Sequence, residues 1–101
     1  MEIVRTSNFW RDFKDLIDYF DKVHAETAAV RFMDAVDATI DFIEEFPDLG
    51  SPWESVRPGR EGMRWRLVMG FDNYLILYRR DGDSTYVLRI VDGRRDLERL
   101  L

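Results

Sequence analysis

The sequence predicts an α+β protein of two layers, a helical hairpin packed on one face of a mainly antiparallel sheet, in the order β-α-α-β-β-β. Three observations predict it. Apolar residues recur at helical spacing through two stretches of the first half, the pattern changes to a period of two at Met63, and Asp81-Gly82 interrupts the second half as a hairpin turn. With 101 residues, 46% of them hydrophobic, the chain supplies one domain, residues 1–101, with enough apolar material for a modest core.

Residues 2–7 form a short first strand around Ile3 and Val4, after which Ser7 or Asn8 offers an N-cap oxygen to the first helix. Phe9, Phe13, Leu16, Ile17 and Phe20 make one apolar stripe, and Arg11, Asp12, Lys14, Asp15 and Asp18 occupy the opposite side. A break at Val23-His24 leads into a second helix over residues 25–45, striped by Ala29, Phe32, Val36, Ile40 and Ile43. The short connection makes an antiparallel pair. Pro47 ends the second helix, because its ring disfavours helical geometry at Phe46.

Residues 46–52 read as a turn-rich connector and residues 53–61 as loop. Met63, Trp65 and Leu67 then alternate with Arg64, Arg66 and Val68. Residues 74–79 read as a central strand, residues 85–91 as its hairpin partner, and residues 94–101 as a short terminal helix or extension. Both helices are used on one face, so the other face of the sheet is expected to stay bare, with arginines alternating into view on it.

Composition excludes several kinds of chemistry. Without cysteine there is no disulfide scaffold, thiolate zinc site or cysteine nucleophile. No window approaches ~18 consecutive apolar residues, and residues 1–11 lack the order of a secretory leader, so no membrane association and a cytoplasmic location are expected. Charge is unevenly spread: residues 1–56 hold 5 basic and 13 acidic side chains, residues 57–101 hold 10 arginines and 7 acids, and the net is −5. A generic nucleic-acid binder is basic overall. This chain is acidic, and no sequence-specific DNA binding is expected of it.

His24, the single histidine, falls in the predicted inter-helix turn and has neither pocket nor partner for general-base work. Asp34, Asp37, Asp41, Glu44 and Glu45 follow helical spacing and read as a hydrated face, not as a metal cluster. The glycines match no phosphate-binding fingerprint, and the serines lack a histidine base. Neither cofactor nor metal nor catalytic residue is expected. What remains is a set of arginines, chief among them Arg64, Arg66, Arg89, Arg94 and Arg95, with Trp53 and Trp65 beside them. Arginine and tryptophan are enriched at binding hot spots, so this set reads as a docking patch, for an acidic protein segment rather than for a nucleic acid.

The connector Phe46-Pro47-Asp48-Leu49-Gly50-Ser51-Pro52, the Gly62-Met63-Arg64 entry to the sheet, Leu77-Tyr78-Arg79, Asp81-Gly82-Asp83 and Leu88-Arg89-Ile90-Val91-Asp92-Gly93-Arg94-Arg95-Asp96 together resemble the ParE branch of the ParE/RelE toxin superfamily. The resemblance runs through the whole chain in order. It implies the RelE/ParE-like fold and the toxin of a type II toxin–antitoxin pair, neutralised by a ParD-like antitoxin, a ribbon-helix-helix protein with a flexible tail. The ParE branch implies DNA gyrase as target. The RelE branch implies messenger RNA cut on the ribosome, but there Tyr74 stands where those nucleases place an arginine and Leu101 where several place a tyrosine. Arg95 does match an arginine of that site, and Arg64 or Arg66 could stand for its lysines. The histidine common before Gly-Arg-Arg is Asp92 here. A non-toxic relative retained as a binding module is the third alternative. Trp10 and Phe42, off the main stripes, suggest an antitoxin helix along the α-hairpin, with a strand or tail reaching the arginines.

Overall fold

A computed structural model describes residues 2–23, 26–54 and 59–100. In chain order the elements are β1 (Glu2–Arg5), α1 (Ser7–Val23), α2 (Glu26–Glu45), β2 (Ser51–Pro52), β3 (Met63–Val68), β4 (Phe71–Asp81), β5 (Ser84–Asp92) and α3 (Leu97–Leu100). One five-stranded sheet runs β1-β5-β4-β3-β2; β1 is parallel to β5 and every other pairing is antiparallel. The expected α+β layering is present. The two-residue β2 was not anticipated, because Ser51-Pro52 carries no apolar alternation and forms a strand only by pairing with Arg64 and Trp65.

The helical stripes build the main core. Phe9, Phe20, Ala29, Phe32, Val36, Ile40 and Ile43 pack on Val68, Tyr74, Ile76, Tyr78, Val87 and Ile90, with Phe13, Leu16 and Ile17 at the margin. Phe20 stacks on Phe32 at 4.6 Å between centroids, and Phe71 and Tyr74 close around the pair. Each such buried aromatic contributes about 1.5–3 kcal/mol. The residues between the helices, including His24, lie outside the described part of the chain, as does Arg57.

Polar side chains fix how the helices sit on the sheet. Thr6, not Ser7 or Asn8, caps α1: its hydroxyl accepts from the Phe9 N–H at 3.2 Å and lies 3.0 Å from the carbonyl oxygens of both Val87 and Leu88. One residue thus ends β1, starts α1 and ties both to β5. Thr39 on α2 donates to the Ala35 carbonyl and accepts from the Met69 N–H at 3.0 Å, anchoring the β3–β4 turn.

Two local features depart from a simple period. The β4–β5 turn is Gly82-Asp83, one residue later than Asp81-Gly82, with Asp81 paired to Ser84. Only Gly82 has a positive φ, +62°, which suits a hairpin needing it at the first central residue alone. Further along, Leu77 pairs with Arg89 but Tyr78 with Val87, so Leu88 is an extra residue. This bulge inverts the alternation: Ile90 faces the helices and Val91 the opposite side.

Candidate functional site

The register of β3 corrects the expectation of a bare, arginine-lined face. Arg64 is opposite Tyr78 and Arg66 opposite Ile76, and both partners face the helices. The two arginines therefore project toward the helical side, at the edge of the sheet. Arg64 donates to the Gly50 carbonyl at 2.7 Å, and the Arg66 guanidinium lies 4.0 Å from the Phe42 ring centroid. Polarity misled the assignment: here the helical layer is completed by the connector and the end of α2, which offer a carbonyl and a ring to long cationic side chains.

The connector is held by a second anchor that its own residues do not reveal. Tyr78, buried in the core, donates its hydroxyl to the Pro47 carbonyl at 2.7 Å and accepts from the Gly50 N–H at 3.0 Å. Burial raises the Tyr78 pKa above 10.0, against smaller lowering effects from the Gly50 hydrogen bond and Arg64, so the phenol stays protonated. Gly50 has to be glycine, since a Cβ there would stand 2.1 Å from the Tyr78 oxygen.

The face away from α1 and α2 carries Met63, Leu75, Leu77 and Val91, with Trp53, Trp65, Leu88 and Leu97 packed against them. It is partly covered, not bare: Trp53 follows β2, its N–H bonded to the Met63 carbonyl, and α3 lays Leu97 on the sheet. Between Trp53, Trp65, Leu67, Leu75, Leu97 and Arg94 a cleft of about 360 Å³ remains. The Trp53 indole N–H is buried without a hydrogen-bond partner among the described residues.

At the far end of β5 stand the other arginines. Arg89, at the bulge, makes a two-pronged ion pair with Asp12 of α1, with Nη2 3.0 Å from Oδ1. Asp12 also accepts from the Ile90 N–H at 3.2 Å, replacing the strand that β1 would supply had it continued. That hydrogen bonding raises the Arg89 pKa further, against burial. Arg94 grips Asp92 through both carboxylate oxygens, at 2.9 and 2.7 Å, and lowers the Asp92 pKa below 3.8. Arg95 is exposed beside Asp15, Tyr19, Tyr74 and Asp92, lining a cleft of about 310 Å³. The Tyr74 ring packs on Phe20 and Phe32 and borders this cleft, and burial first, then Asp92, raises its pKa.

A sequence model of the family described as "ParE toxin of type II toxin-antitoxin system, parDE" matches residues 3–97. The chain belongs to the ParE toxin family. Among solved structures, this ParE-family toxin is similar to the chromosomal ParDE TA system from P. aeruginosa, with TM-score 0.75 at 16% identity, covering 91% of this chain and 95% of that one. It is also similar to the YoeB/ParE toxin from Agrobacterium tumefaciens, with TM-score 0.59 at 18% identity, covering 91% and 98%. At these identities the likeness is one of fold. Among curated proteins, none matches significantly.

In this ParE-family toxin the seven sequence-derived site residues do not form one patch. Trp53, Trp65 and Arg94 share the cleft on the open face, Arg64 and Arg66 sit at the β3 edge toward the helices, and Arg89 and Arg95 lie beside α1. Asp12, Gly50, Tyr78 and Leu97 were missed. Only the Gly50 of the connector motif carried any signal, since an isolated glycine in a turn marks a close approach. Among the described residues no helix is long and apolar enough to cross a membrane, and no group of three or more acidic or histidine side chains is placed to share a metal ion.

Proposed function

We propose that this ParE-family toxin acts by binding a protein, with DNA gyrase as its target, and that a ParD-like antitoxin neutralises it. The observation that carries this reading is the chemistry of the open sheet face. Its cleft is walled by Trp53, Trp65, Leu67, Leu75 and Leu97, with Arg94 already paired to Asp92 at the rim. Aromatic walls with an arginine rim suit a desolvated protein contact. Cleaving RNA there would need a base for the 2′-hydroxyl and an acid for the leaving oxygen. The cleft's titratable side chains are Asp72 and Arg94. Tyr74 lies on the opposite face of the sheet, its ring against the main core and bordering a separate cleft with Arg95.

The experiment is a gyrase supercoiling assay with purified toxin freed of antitoxin. Inhibition with accumulation of cleaved DNA complexes is expected, and Trp65→Ala should weaken it. Unchanged supercoiling at saturating toxin rejects gyrase as target. Codon-specific cuts in translated message, lost in Arg95→Ala, would replace the reading with ribosome-dependent cleavage, and undisturbed growth on expression of the chain alone would indicate a non-toxic relative.

A further inference from the structure

Among the described residues, Arg66 is a cation held in place without a counter-charge. Its guanidinium is stacked on Phe42, its Nε is buried without a hydrogen-bond partner, and no carboxylate pairs with it among the described residues. Stacking fixes the plane of the fork while leaving its terminal nitrogens uncommitted. An arginine that is pre-oriented loses little freedom when it takes a carboxylate in two-pronged fashion.

The surroundings define what brings that carboxylate. Arg66 lines a cleft of about 330 Å³ along the outer edge of β3, together with Leu49, Trp65, Leu67 and Met69. Leu49 is 62% exposed, and Leu67 and Met69 are each 40% exposed. The main chain is open here as well. Met63 turns its carbonyl outward to the Trp53 N–H, so Trp65 and Leu67, of the same parity, direct their peptide groups to that edge. The two-residue β2 reaches only Trp65, and Leu49 bends away to donate its N–H to the Phe46 carbonyl. Leu67 is left with outward N–H and C=O groups unmatched by backbone among the described residues.

We infer that the outer edge of β3 receives an extended segment of the antitoxin, with an Asp or Glu flanked by apolar residues. The carboxylate takes the Arg66 fork, the apolar neighbours cover Leu49, Leu67 and Met69, and one peptide unit pairs with Leu67. Charge selects this occupant over a polyanion. The chain carries a net −5, which repels nucleic acid at a distance, whereas one carboxylate entering an apolar cleft meets the Arg66 fork, with Arg64 held on the Gly50 carbonyl beside it. The inference rests on the reading that an antitoxin captures this toxin, and names the chemistry by which one part of it does so.

The test is the dissociation constant of the complex between the toxin and the protein encoded beside it, by surface-immobilised binding. The variants are Arg66→Gln, Arg66→Lys and Leu67→Glu, with Arg80→Gln as a control outside the cleft, each checked for folding by thermal melt. Arg66→Gln is expected to raise Kd on the order of 30-fold or more, mostly through faster release. Arg66→Lys should fall between the two, because it keeps charge and loses the fork. Leu67→Glu, an exposed change that leaves the core intact, should weaken binding similarly by setting a charge against the segment's apolar residues and repelling its carboxylate. An amide scan of the antitoxin's acidic residues should find one position that is non-additive with Arg66→Gln. If the antitoxin binds and both Arg66→Gln and Leu67→Glu match wild type, the inference is wrong while neutralisation stands. If the neighbouring protein does not bind at all, the neutralisation reading fails and this one with it. A toxin dimer abolished by Leu67→Glu would assign the edge to a second copy and overturn the assignment to antitoxin.

Discussion

Replacing Tyr78 by Phe isolates the anchor that holds the connector to the sheet. The ring keeps its place in the core, so the change removes one oxygen and two hydrogen bonds, to the Pro47 carbonyl at 2.7 Å and from the Gly50 N–H at 3.0 Å. Pro47 and Gly50 are both buried, so each main-chain group left without a partner costs about 1–3 kcal/mol. Water reaching one of them after a small shift of the connector offsets part of this, leaving a loss of about 2–3 kcal/mol. For a domain of this size that lowers Tm by roughly 10–20 °C. Urea and thermal melts at neutral pH measure it. Alkaline titration gives a second readout with a definite sign. Because burial raises the folded pKa of Tyr78 above 10.0, the hydroxyl's contribution is complete below pH 10 and is lost as pH rises beyond it, since the unfolded chain ionises first. The variant should lack that share of the alkaline loss. A Tm within about 3 °C of wild type would refute the anchor, since it would mean the connector stays in place by packing alone.

Gly50→Ala attacks the same joint from the other side: its Cβ would meet the Tyr78 oxygen at 2.1 Å, and a loss of about 1–3 kcal/mol by urea melt is expected from overpacking. Asp12→Ala removes the two-pronged ion pair with Arg89 and the acceptor of the Ile90 N–H, so equilibrium unfolding should show a loss of about 2–4 kcal/mol, and amide exchange at Ile90 should accelerate. Asp92→Asn should flatten the acid limb of the stability profile. The Arg94 hydrogen bonds hold the Asp92 carboxyl below 3.8, so its contribution is present above that value and disappears as pH falls through the lower folded pKa; melts between pH 2 and 6 test this.

Much of the architecture was legible in residue order. Phe9 to Phe20 and Ala29 to Ile43 announce two helices because a helix repeats every 3.6 residues, and all five stripe residues of α2 are buried. Pro47 marked the end of α2, and the connector with Gly-Arg-Arg-Asp carried the family resemblance. The site was less legible. Period two in β3 separates Met63 and Trp65 from Arg64 and Arg66, but it does not say which set meets the helices. Assigning the polar set to solvent put the arginines on the wrong side. In β5 a single extra residue, Leu88, reverses the faces of Ile90 and Val91, and no composition signal marks it.

The amino-acid order alone determined the two apolar helical stripes, the strands after Met63, the absence of thiol chemistry and the family, since these depend on local periodicity and short motifs. Tertiary structure alone decided the partners of the arginines. Asp12 and Arg89 are separated by 77 residues, and Tyr78 lies 28 residues from Gly50. Such pairs exist only once sheet register and helix placement have been set by burial of the whole core. A guanidinium has reach enough to serve either face, so its role follows from which carboxylate, carbonyl or ring the finished fold brings within a few ångströms.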